Sequence, residues 1–229
     1  MLAAGLGTRM GDVTRTTPKC LLPVAGKPLL GRWFELLAGA GVTRALVNTH
    51  HLPEPVRAYV AESRPPLEVE LAHEPVLLGS GGTLRENRSF AQGEERFLVV
   101  YADNASTVDL AALAGAHRPG SAATLGLFRV PDPETRGVVD LDETGAMVGF
   151  IEKPERPKSD LAWAGLLVGT PELLETIPEG TPCDLGHDVL PRLVGRARGV
   201  TIQGYHRDVG TPEAYRRACA DLESLGSAA

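Results

Sequence analysis

The chain has 229 residues, a formal net charge of −6 and 43% hydrophobic residues. This length suits one large domain or two small ones, and the composition excludes a disordered chain or a coiled coil as the overall description. The acidic balance disfavours a general nucleic-acid-binding protein, which would usually carry a basic surface.

Apolar, β-branched runs alternate with helix-like stretches along the chain. In chain order, the predicted strands are residues 45–49, 67–72, 97–101, 122–130, 137–141, 147–151, 164–169 and 199–203. The predicted helices are residues 29–40, 55–63, 82–89, 110–115, 171–175, 184–193 and 212–225. Two of these helices begin with Thr-Pro-Glu, at Thr170 and Thr211, which is typical of an N-cap followed by proline at the first helical position.

The order of these elements predicts the fold class. Strands that alternate with helices through the first half predict parallel β-α-β units and an α/β, Rossmann-like, doubly wound and mainly parallel sheet. Between residues 122 and 151 strands follow one another without helices, which predicts antiparallel additions to the same sheet. We therefore predict a single domain over residues 1–229. Since only three residues precede the first glycine-rich turn and a strand usually has about five or six, we expect the natural chain to begin a few residues earlier.

Cysteine usage and hydropathy indicate the compartment. The three cysteines are far apart and form no CxxC pair, so the sequence indicates neither a disulfide framework nor a zinc site. No apolar run approaches the roughly 20 residues that span a bilayer, and no signal peptide is indicated. We expect a cytoplasmic protein with no membrane or nucleic-acid partner. The sequence leaves the oligomeric state open, a homodimer included.

The strongest local pattern is the glycine-rich segment of residues 3–11. Gly5 and Gly7 let the backbone approach an anion, and successive N–H groups of such a loop form an anion-binding nest. Thr8 adds a hydroxyl, and Arg9 adds a guanidinium that suits phosphate oxygens. The segment matches neither the Rossmann nor the Walker fingerprint. It is therefore predicted to be a phosphate loop of another type, the alternative being an ordinary tight turn.

The chain has only four lysines among its 23 basic residues, and the segment of residues 17–29 contains two of them. Pro18 rigidifies the backbone beside Lys19, and a lysine fixed about ten residues beyond Arg9 is placed to close over a triphosphate. The alternative for Lys19 is a solvated loop lysine.

Taken together, Gly5-Leu6-Gly7-Thr8-Arg9-Met10, Pro18-Lys19 and Pro23-Val24-Ala25-Gly26-Lys27-Pro28 resemble the sugar-1-phosphate nucleotidylyltransferase family. Its members make NDP-sugars from an NTP and a sugar 1-phosphate, and this chain looks most like the short mannose- and heptose-1-phosphate guanylyltransferase branch. The resemblance implies the nucleotide-diphospho-sugar transferase fold, without the C-terminal β-helix or acetyltransferase domain of some relatives. It also implies nucleotide contacts from Leu2, Ala4, Gly5, Gly7 and Thr8.

Residues 74–83, Glu-Pro-Val-Leu-Leu-Gly-Ser-Gly-Gly-Thr, resemble the family segment that lines the base and the ribose of the nucleotide. Glycines leave room for a flat base against the backbone, whose N–H and C=O groups can read its edge. The alternative is a helix N-terminus after a turn. The resemblance implies nucleotide contacts from Glu74, Gly79, Gly81, Gly82 and Thr83.

Two aspartates follow the family's pattern for a metal site. Asp103 comes after an apolar strand, at whose carboxyl end such folds bind ligands. Asp208 lies in a segment that resembles the family's Asp-x-Gly-Thr-Pro motif. The resemblance implies that both bind Mg²⁺, a hard cation that prefers oxygen ligands and keeps substrate phosphates and waters. For either aspartate alone, a helix cap or a surface charge is the alternative.

The second half of the chain carries the sugar-side motifs. Glu152-Lys153-Pro154 resembles the family's Glu-Lys-Pro turn, in which the lysine contacts the sugar phosphate and the glutamate contacts sugar hydroxyls. Gly137 lies in a segment similar to the family's sugar-side glycine segment. Trp163 stands where relatives often carry asparagine. It either stacks on the sugar ring or packs in the core.

These motifs lead to a reaction hypothesis. The oxygen of a sugar 1-phosphate or a cyclitol phosphate attacks the α-phosphorus of an NTP, with Mg²⁺ assistance, and pyrophosphate leaves. Arg9 and Lys19 would hold the β- and γ-phosphates, and Lys153 would align the nucleophile. The resemblance favours GTP as the nucleotide. The alternatives are a glucose-1-phosphate uridylyl-, thymidylyl- or adenylyltransferase, a cytidylyltransferase for a non-sugar phosphate, and a non-catalytic nucleotide-sensing module.

Overall fold

The structure is a computed structural model that describes residues 1–227, so the last two residues of the predicted domain lie outside the described residues. The strands in the described part of the chain are β1 (Pro23–Val24), β2 (Lys27–Pro28), β3 (Arg44–Thr49), β4 (Glu68–His73), β5 (Phe97–Val100), β6 (Asn104–Ser106), β7 (Ala123–Arg129), β8 (Gly137–Leu141), β9 (Met147–Glu152), β10 (Leu161–Gly169), β11 (Ala197–Thr201) and β12 (His206–Asp208).

The α-helices among the same residues are α1 (Leu29–Gly39), α2 (Pro53–Ser63), α3 (Ser80–Glu86), α4 (Leu110–Gly115), α5 (Pro171–Glu175) and α6 (Pro212–Ser227). Short 3₁₀ segments cover Thr8–Thr14, Lys19–Leu21, Arg88–Ala91, Pro133–Thr135 and Leu190–Leu193, and a π-turn covers Leu185–Val189. No helix within residues 1–227 is both long enough and apolar enough to cross a membrane.

All eight predicted strands are present, and the largest helical difference is at residues 184–193. That stretch is a π-turn followed by a 3₁₀ turn, because Pro191 has no N–H for an α-helical hydrogen bond. Of the two predicted N-caps, Thr211 Oγ1 accepts from Ala214 N at 3.2 Å. Thr170 Oγ1 instead donates to Ala122 O. The sequence missed β1, β2, β6 and β12, which are too short to show a period of two.

The described chain divides into two compact units, and the first contains Met1–Val76, Tyr101–Leu110 and the chain from Gly204 onward. In it, β3 and β4 pair in parallel from Arg44↔Glu68 to Thr49↔His73. Met1 hydrogen-bonds to β3 through Leu46 O and Asn48 N, and Leu2 forms a parallel bridge with Tyr101. Because these segments are parallel, the residues that follow them emerge at one edge of the unit, where α/β folds bind ligands.

The first unit also contains the antiparallel pair β6–β12, which pairs Asp208 with Asn104. This pair packs on a buried apolar cluster, which also contains side chains from β1 and from α6. The cluster is formed by Val24, Leu29, Ala105, Val209, Ala218 and Leu222. The backbone at Asp208 is therefore fixed by a ladder on one side and by core packing next to it.

The second unit contains Leu77–Val100 and Ala111–Gln203, and its sheet has the order β11-β7-β10-β8-β9, with β5 also pairing with β10. The β11–β7 ladder is parallel. The ladders of β10 with β5, β7 and β8 and the β8–β9 ladder are antiparallel. The antiparallel strands predicted after residue 122 are thus confirmed. Leu125, Leu127, Leu166 and Leu167 are fully buried in this sheet and give it an apolar core.

Candidate active site

In the first unit, one lysine bridges the two predicted metal aspartates. Lys19 Nζ lies 2.6 Å from Asp103 Oδ2 and 3.4 Å from Asp208 Oδ1, across sequence separations of 84 and 189 residues. The Lys19 side chain is only 7% exposed, whereas those of Asp103 and Asp208 are 32% and 26% exposed. A nearly buried ammonium thus neutralises two carboxylates that remain partly open to solvent.

Local backbone structure explains why these three side chains meet. Pro18 is extended, and the 3₁₀ turn Lys19–Leu21 follows it at once, closed by a hydrogen bond from Leu21 N to Pro18 O. Across the β6–β12 ladder, Val209 N donates to Asp103 O at 3.2 Å, which holds the two aspartate segments side by side. The proline that the sequence singled out therefore sets the position of Lys19.

Arg9, from the glycine-rich loop, and Asp208 both lie beside Gly210. A Cβ built on Gly210 would lie 2.8 Å from Asp208 Oδ2 and 2.9 Å from Arg9 Nη2, so both charged groups flank this glycine. The loop is shaped by Met10 N and Thr14 Oγ1, which both donate to Gly7 O. The sequence did not single out Gly210, although its place two residues after Asp208 is a signal for close packing.

The residues present fit a divalent cation of the predicted type. Two carboxylates converge on one positive charge, the ammonium of Lys19, and so form an oxygen-rich site for a cation. Within the part of the chain that the structure describes, no group of three or more His, Cys, Asp or Glu side chains is arranged to hold a metal. A pair of carboxylates suits Mg²⁺, which completes its six-coordination with waters and substrate phosphates.

Glu74 is buried at the end of β4 and held from β3. Its side chain is 3% exposed, and Asn48 Nδ2 donates to its Oε1 at 2.9 Å. Asn48 Oδ1 in turn accepts from Ala3 N at 2.6 Å, so one amide links the glycine-rich segment to the carboxylate. Asn48 was not predicted from the sequence, although a polar residue within a buried strand is a signal that could have indicated it.

In the second unit, the three glycines of the predicted base-binding segment pack against the backbone at Cys183. Gly81 N and Gly82 N both donate to Cys183 O, at 2.9 and 3.1 Å. A Cβ on Gly79, whose φ is 78°, would overlap the same carbonyl oxygen. Thr83 Oγ1 donates to Gly79 O within the start of α3. The helix-start interpretation thus accounts for these glycines, and their contact with a nucleotide stays a prediction.

Glu152 lies in a space that two glycines leave open. A Cβ on Gly137 or on Gly186 would lie 2.6 Å from Glu152 Oε2, so a side chain at either position would displace the carboxylate. Burial raises the pKa of the Glu152 carboxyl, while the charges of Lys153 and His187 act in the opposite direction. Gly137 was predicted from the sequence to belong to this site. Gly186 was not, and His187 was predicted to be structural; both come from the irregular turn after residue 184.

Lys153 and Trp163 complete the predicted sugar-side residues, all of which lie in the second unit. Lys153 has an exposed side chain and a left-handed backbone with φ of 49°, and its N–H donates to Arg136 O at 2.9 Å. Left-handed backbone at a non-glycine residue is costly and often marks a functional position. Trp163 is half-buried in β10, and its Nε1 donates to Leu166 O at 3.0 Å.

Comparison with known proteins gives a consistent result. A family model described as Nucleotidyl transferase matches residues 1–224. The mannose-1-phosphate guanylyltransferase of Mycobacterium tuberculosis is 34% identical over 97% of this chain, and the glucose-1-phosphate thymidylyltransferase of Streptomyces griseus is 34% identical over 92% of it. The chain spans 63% and 61% of the lengths of these two relatives.

A solved structure extends the comparison to three dimensions. HddC from Yersinia pseudotuberculosis, crystallised with GMP-PN, superposes with a TM-score of 0.81 at 25% identity, covering 96% of this chain and 97% of that one. The predicted α/β, Rossmann-like fold is confirmed, as is the predicted resemblance to this group of proteins.

Proposed function

We propose, from the premise that the chain belongs to the Nucleotidyl transferase family, that it joins an NTP to a sugar 1-phosphate or cyclitol phosphate. The products would be an NDP-sugar or NDP-cyclitol and pyrophosphate. The observation that carries the proposal is the convergence of Lys19 on Asp103 and Asp208, with Arg9 beside them. Such a cluster suits a triphosphate together with a divalent cation.

The chemistry needs charge neutralisation more than acid–base catalysis. The oxygen of the sugar phosphate is already deprotonated near neutral pH and bonds to the α-phosphorus. The bond from the α-phosphorus to its bridging oxygen breaks, and the electron pair leaves with pyrophosphate. Mg²⁺, held by Asp103 and Asp208 when bound, would supply charge neutralisation at the phosphate oxygens. Arg9 and Lys19 would bind the β- and γ-phosphates and stabilise the leaving group.

The predicted acceptor-side residues lie in the second unit. Lys153 would bind the sugar phosphate as a point charge on its exposed side chain. The Glu152 carboxylate lies next to Gly137 and Gly186, which have no side chain to displace it. It would accept hydrogen bonds from hydroxyls of the sugar or cyclitol. This pairing of a cation for the phosphate with an acceptor for hydroxyls favours a sugar or cyclitol phosphate over a choline-like acceptor.

Glu74 supports GTP as the preferred nucleotide. It is buried at the carboxyl end of β4 and oriented by Asn48. Guanine offers two neighbouring donors, N1–H and the 2-amino group, whose hydrogen bonds a carboxylate can accept, whereas uracil and thymine offer one N–H between two carbonyls. Asn48 already donates to Glu74 Oε1, so a contact with guanine through both oxygens would require that hydrogen bond to open. One of the two relatives is a guanylyltransferase and the structural neighbour is complexed with GMP-PN, whereas the other relative, of equal identity, is a thymidylyltransferase.

The proposal is tested by pyrophosphate release from GTP, UTP, dTTP, ATP and CTP, each combined with a panel of sugar and cyclitol 1-phosphates. We expect turnover with GTP and one acceptor class, and a loss of about a hundred-fold or more in Arg9→Ala and Lys153→Ala. Lys158→Ala, an exposed lysine in the same loop region, is the matched control and should keep its activity.

Two further results decide between the alternatives. Glu74→Gln should lower the GTP-to-UTP ratio of kcat/KM by about tenfold, and this ratio does not depend on how much of the variant is folded. Equal rates of pyrophosphate release with every NTP would contradict the proposed preference for GTP. Nucleotide binding without pyrophosphate release from any pair would instead favour a non-catalytic sensing module.

A further inference from the structure

One hydrogen-bonded pair, Ser80 and Asp184, joins two parts of the second unit to which the proposed function gives different substrates. Ser80 stands between Gly79 and Gly81 in the predicted base-binding segment. Its Oγ donates to Asp184 Oδ2 at 2.8 Å and accepts from Leu185 N at 2.7 Å. These bonds join residues 104 and 105 positions apart, so they hold the base-binding segment against the chain that begins at Asp184.

The other oxygen of the same carboxylate shapes the π-turn Leu185–Val189. Asp184 Oδ1 accepts from His187 N at 3.0 Å, and Asp188 Oδ2 accepts from Asp184 N at 2.7 Å. An aspartate just before a helical turn stabilises it in this way, because the first N–H groups of the turn have no acceptor within it. Asp184 thus holds the base-binding segment with one oxygen and the π-turn with the other.

The π-turn also borders the Glu152 carboxylate. A Cβ on Gly186 would lie 2.6 Å from Glu152 Oε2 and 3.2 Å from Asp184 Oδ1, so the two carboxylates flank the same glycine. Burial raises the pKa of the Glu152 carboxyl, and the nearby negative charge of Asp184 acts in the same direction. A shift of the π-turn would therefore move Gly186 against Glu152 and change the position of that carboxylate.

We propose that Asp184 is a positioning residue, which acts through Ser80 on the predicted base-binding segment and through the π-turn on Glu152. The inference rests on the proposed function, in which these two places bind the nucleotide and the acceptor phosphate. The role needs no contact with a substrate, since each oxygen of Asp184 already accepts a hydrogen bond from the protein. Loss of this carboxylate weakens the binding of both substrates, whereas loss of a residue that touches one substrate weakens that one alone.

Steady-state kinetics test this role with the substrate pair that supports pyrophosphate release. Asp184→Ala should raise the nucleotide KM and the acceptor KM about tenfold each. Asp184→Asn keeps an oxygen that can accept from His187 N and an amide that can donate to Ser80 Oγ, so both KM values should stay within about threefold of the wild type. Unlike kcat, KM does not depend on the fraction of the variant that is folded.

A double-mutant cycle with Ser80→Ala provides the second readout. When two side chains act as one unit, the double variant Ser80→Ala/Asp184→Ala raises each KM no further than the larger single effect, to within about twofold. Single effects that multiply in the double variant would overturn the proposal. If Asp184→Ala does not fold, Ser80→Ala alone decides: it should raise both KM values, and a rise in the nucleotide KM alone contradicts the coupling.

Asp142→Ala is the matched control, because Asp142 also caps a turn of the second unit. Its Oδ1 accepts from Thr144 N at 2.8 Å and from Ala146 N at 2.9 Å. This variant should lose stability and leave both KM values unchanged. If Asp184→Ala behaves in the same way, Asp184 is a structural cap and the proposal fails. Absence of pyrophosphate release by the wild type with every substrate pair would instead overturn the proposed function, and this inference with it.

Discussion

Replacement of Lys19 by methionine tests whether its ammonium is the charge that holds the two aspartates together. Removing one partner of a buried ion pair costs about 3–5 kcal/mol, because the remaining charge is left uncompensated. Here the aspartates are 32% and 26% exposed, so solvent screens them and the expected loss in the free energy of unfolding falls to about 1–3 kcal/mol. For a chain of this length that loss lowers Tm by roughly 2–12 °C.

The same variant should separate stability from metal binding. Without the Lys19 ammonium, the carboxylates of Asp103 and Asp208 lose a cation that competes with Mg²⁺. Melting curves recorded in EDTA and in MgCl₂ should therefore show a larger Mg²⁺-dependent rise in Tm for Lys19→Met than for the wild type. Pyrophosphate release should nevertheless fall by about a hundred-fold or more, because a phosphate-binding charge is gone.

Lys27→Met is the matched control for this experiment. Lys27 Nζ is 2.5 Å from Glu35 Oε1, but both side chains are exposed, so that pair contributes less than about 1 kcal/mol. Its removal should leave Tm, the response to Mg²⁺ and turnover nearly unchanged. If Lys19→Met melts like the wild type, responds to Mg²⁺ like the wild type and keeps its turnover, the bridging role derived from the geometry is wrong.

Three further predictions follow from the geometry. Gly210→Ala should displace the Arg9 guanidinium and lower pyrophosphate release by about tenfold or more, whereas Gly39→Ala, where a Cβ has nothing within 4 Å, should keep wild-type turnover. Burial raises the pKa of Glu152, so this carboxyl binds more protons in the folded protein than in the unfolded chain. The free energy of unfolding should therefore fall as the pH rises from the ordinary pKa of a glutamate through the raised pKa of Glu152. Urea titrations at several pH values should show that Glu152→Gln lacks this pH-dependent loss. Gly79→Ala combines a left-handed backbone with overlap on a carbonyl oxygen, and should lower the unfolding free energy in the same titrations by about 2 kcal/mol or more; an unchanged midpoint would contradict that packing.

Much of the fold follows from local patterns. The apolar run before Asp103 predicted a strand with a carboxylate at its carboxyl end, and β5 is present from Phe97 to Val100. The helix that follows Thr211 begins where its Thr-Pro-Glu signal predicted. The stretch after Asp184 was predicted to be a helix from its apolar spacing, but it is a π-turn and a 3₁₀ turn because Pro191 cannot donate an α-helical hydrogen bond.

The interior of the candidate site was less accessible to sequence reasoning. Asn48, which orients Glu74, lies 26 residues before it in sequence, and no motif joins the two. Gly186 makes room for Glu152 through a turn whose irregular hydrogen bonding has no sequence period. Such contacts depend on which strands and turns lie next to each other in the folded protein. This arrangement cannot be derived from any single segment of the sequence.

The sequence by itself determined the elements, the fold class and the family, because these depend on hydropathy period, turn residues and short motifs. Its motifs also predicted Lys19, Asp103 and Asp208 as residues of the site. Only the tertiary structure decided that Lys19 bridges Asp103 and Asp208 and that Gly186 leaves room for the Glu152 carboxylate. Both arrangements depend on distances of a few ångströms between groups far apart in the chain, which are fixed only when the strands pair and the core packs.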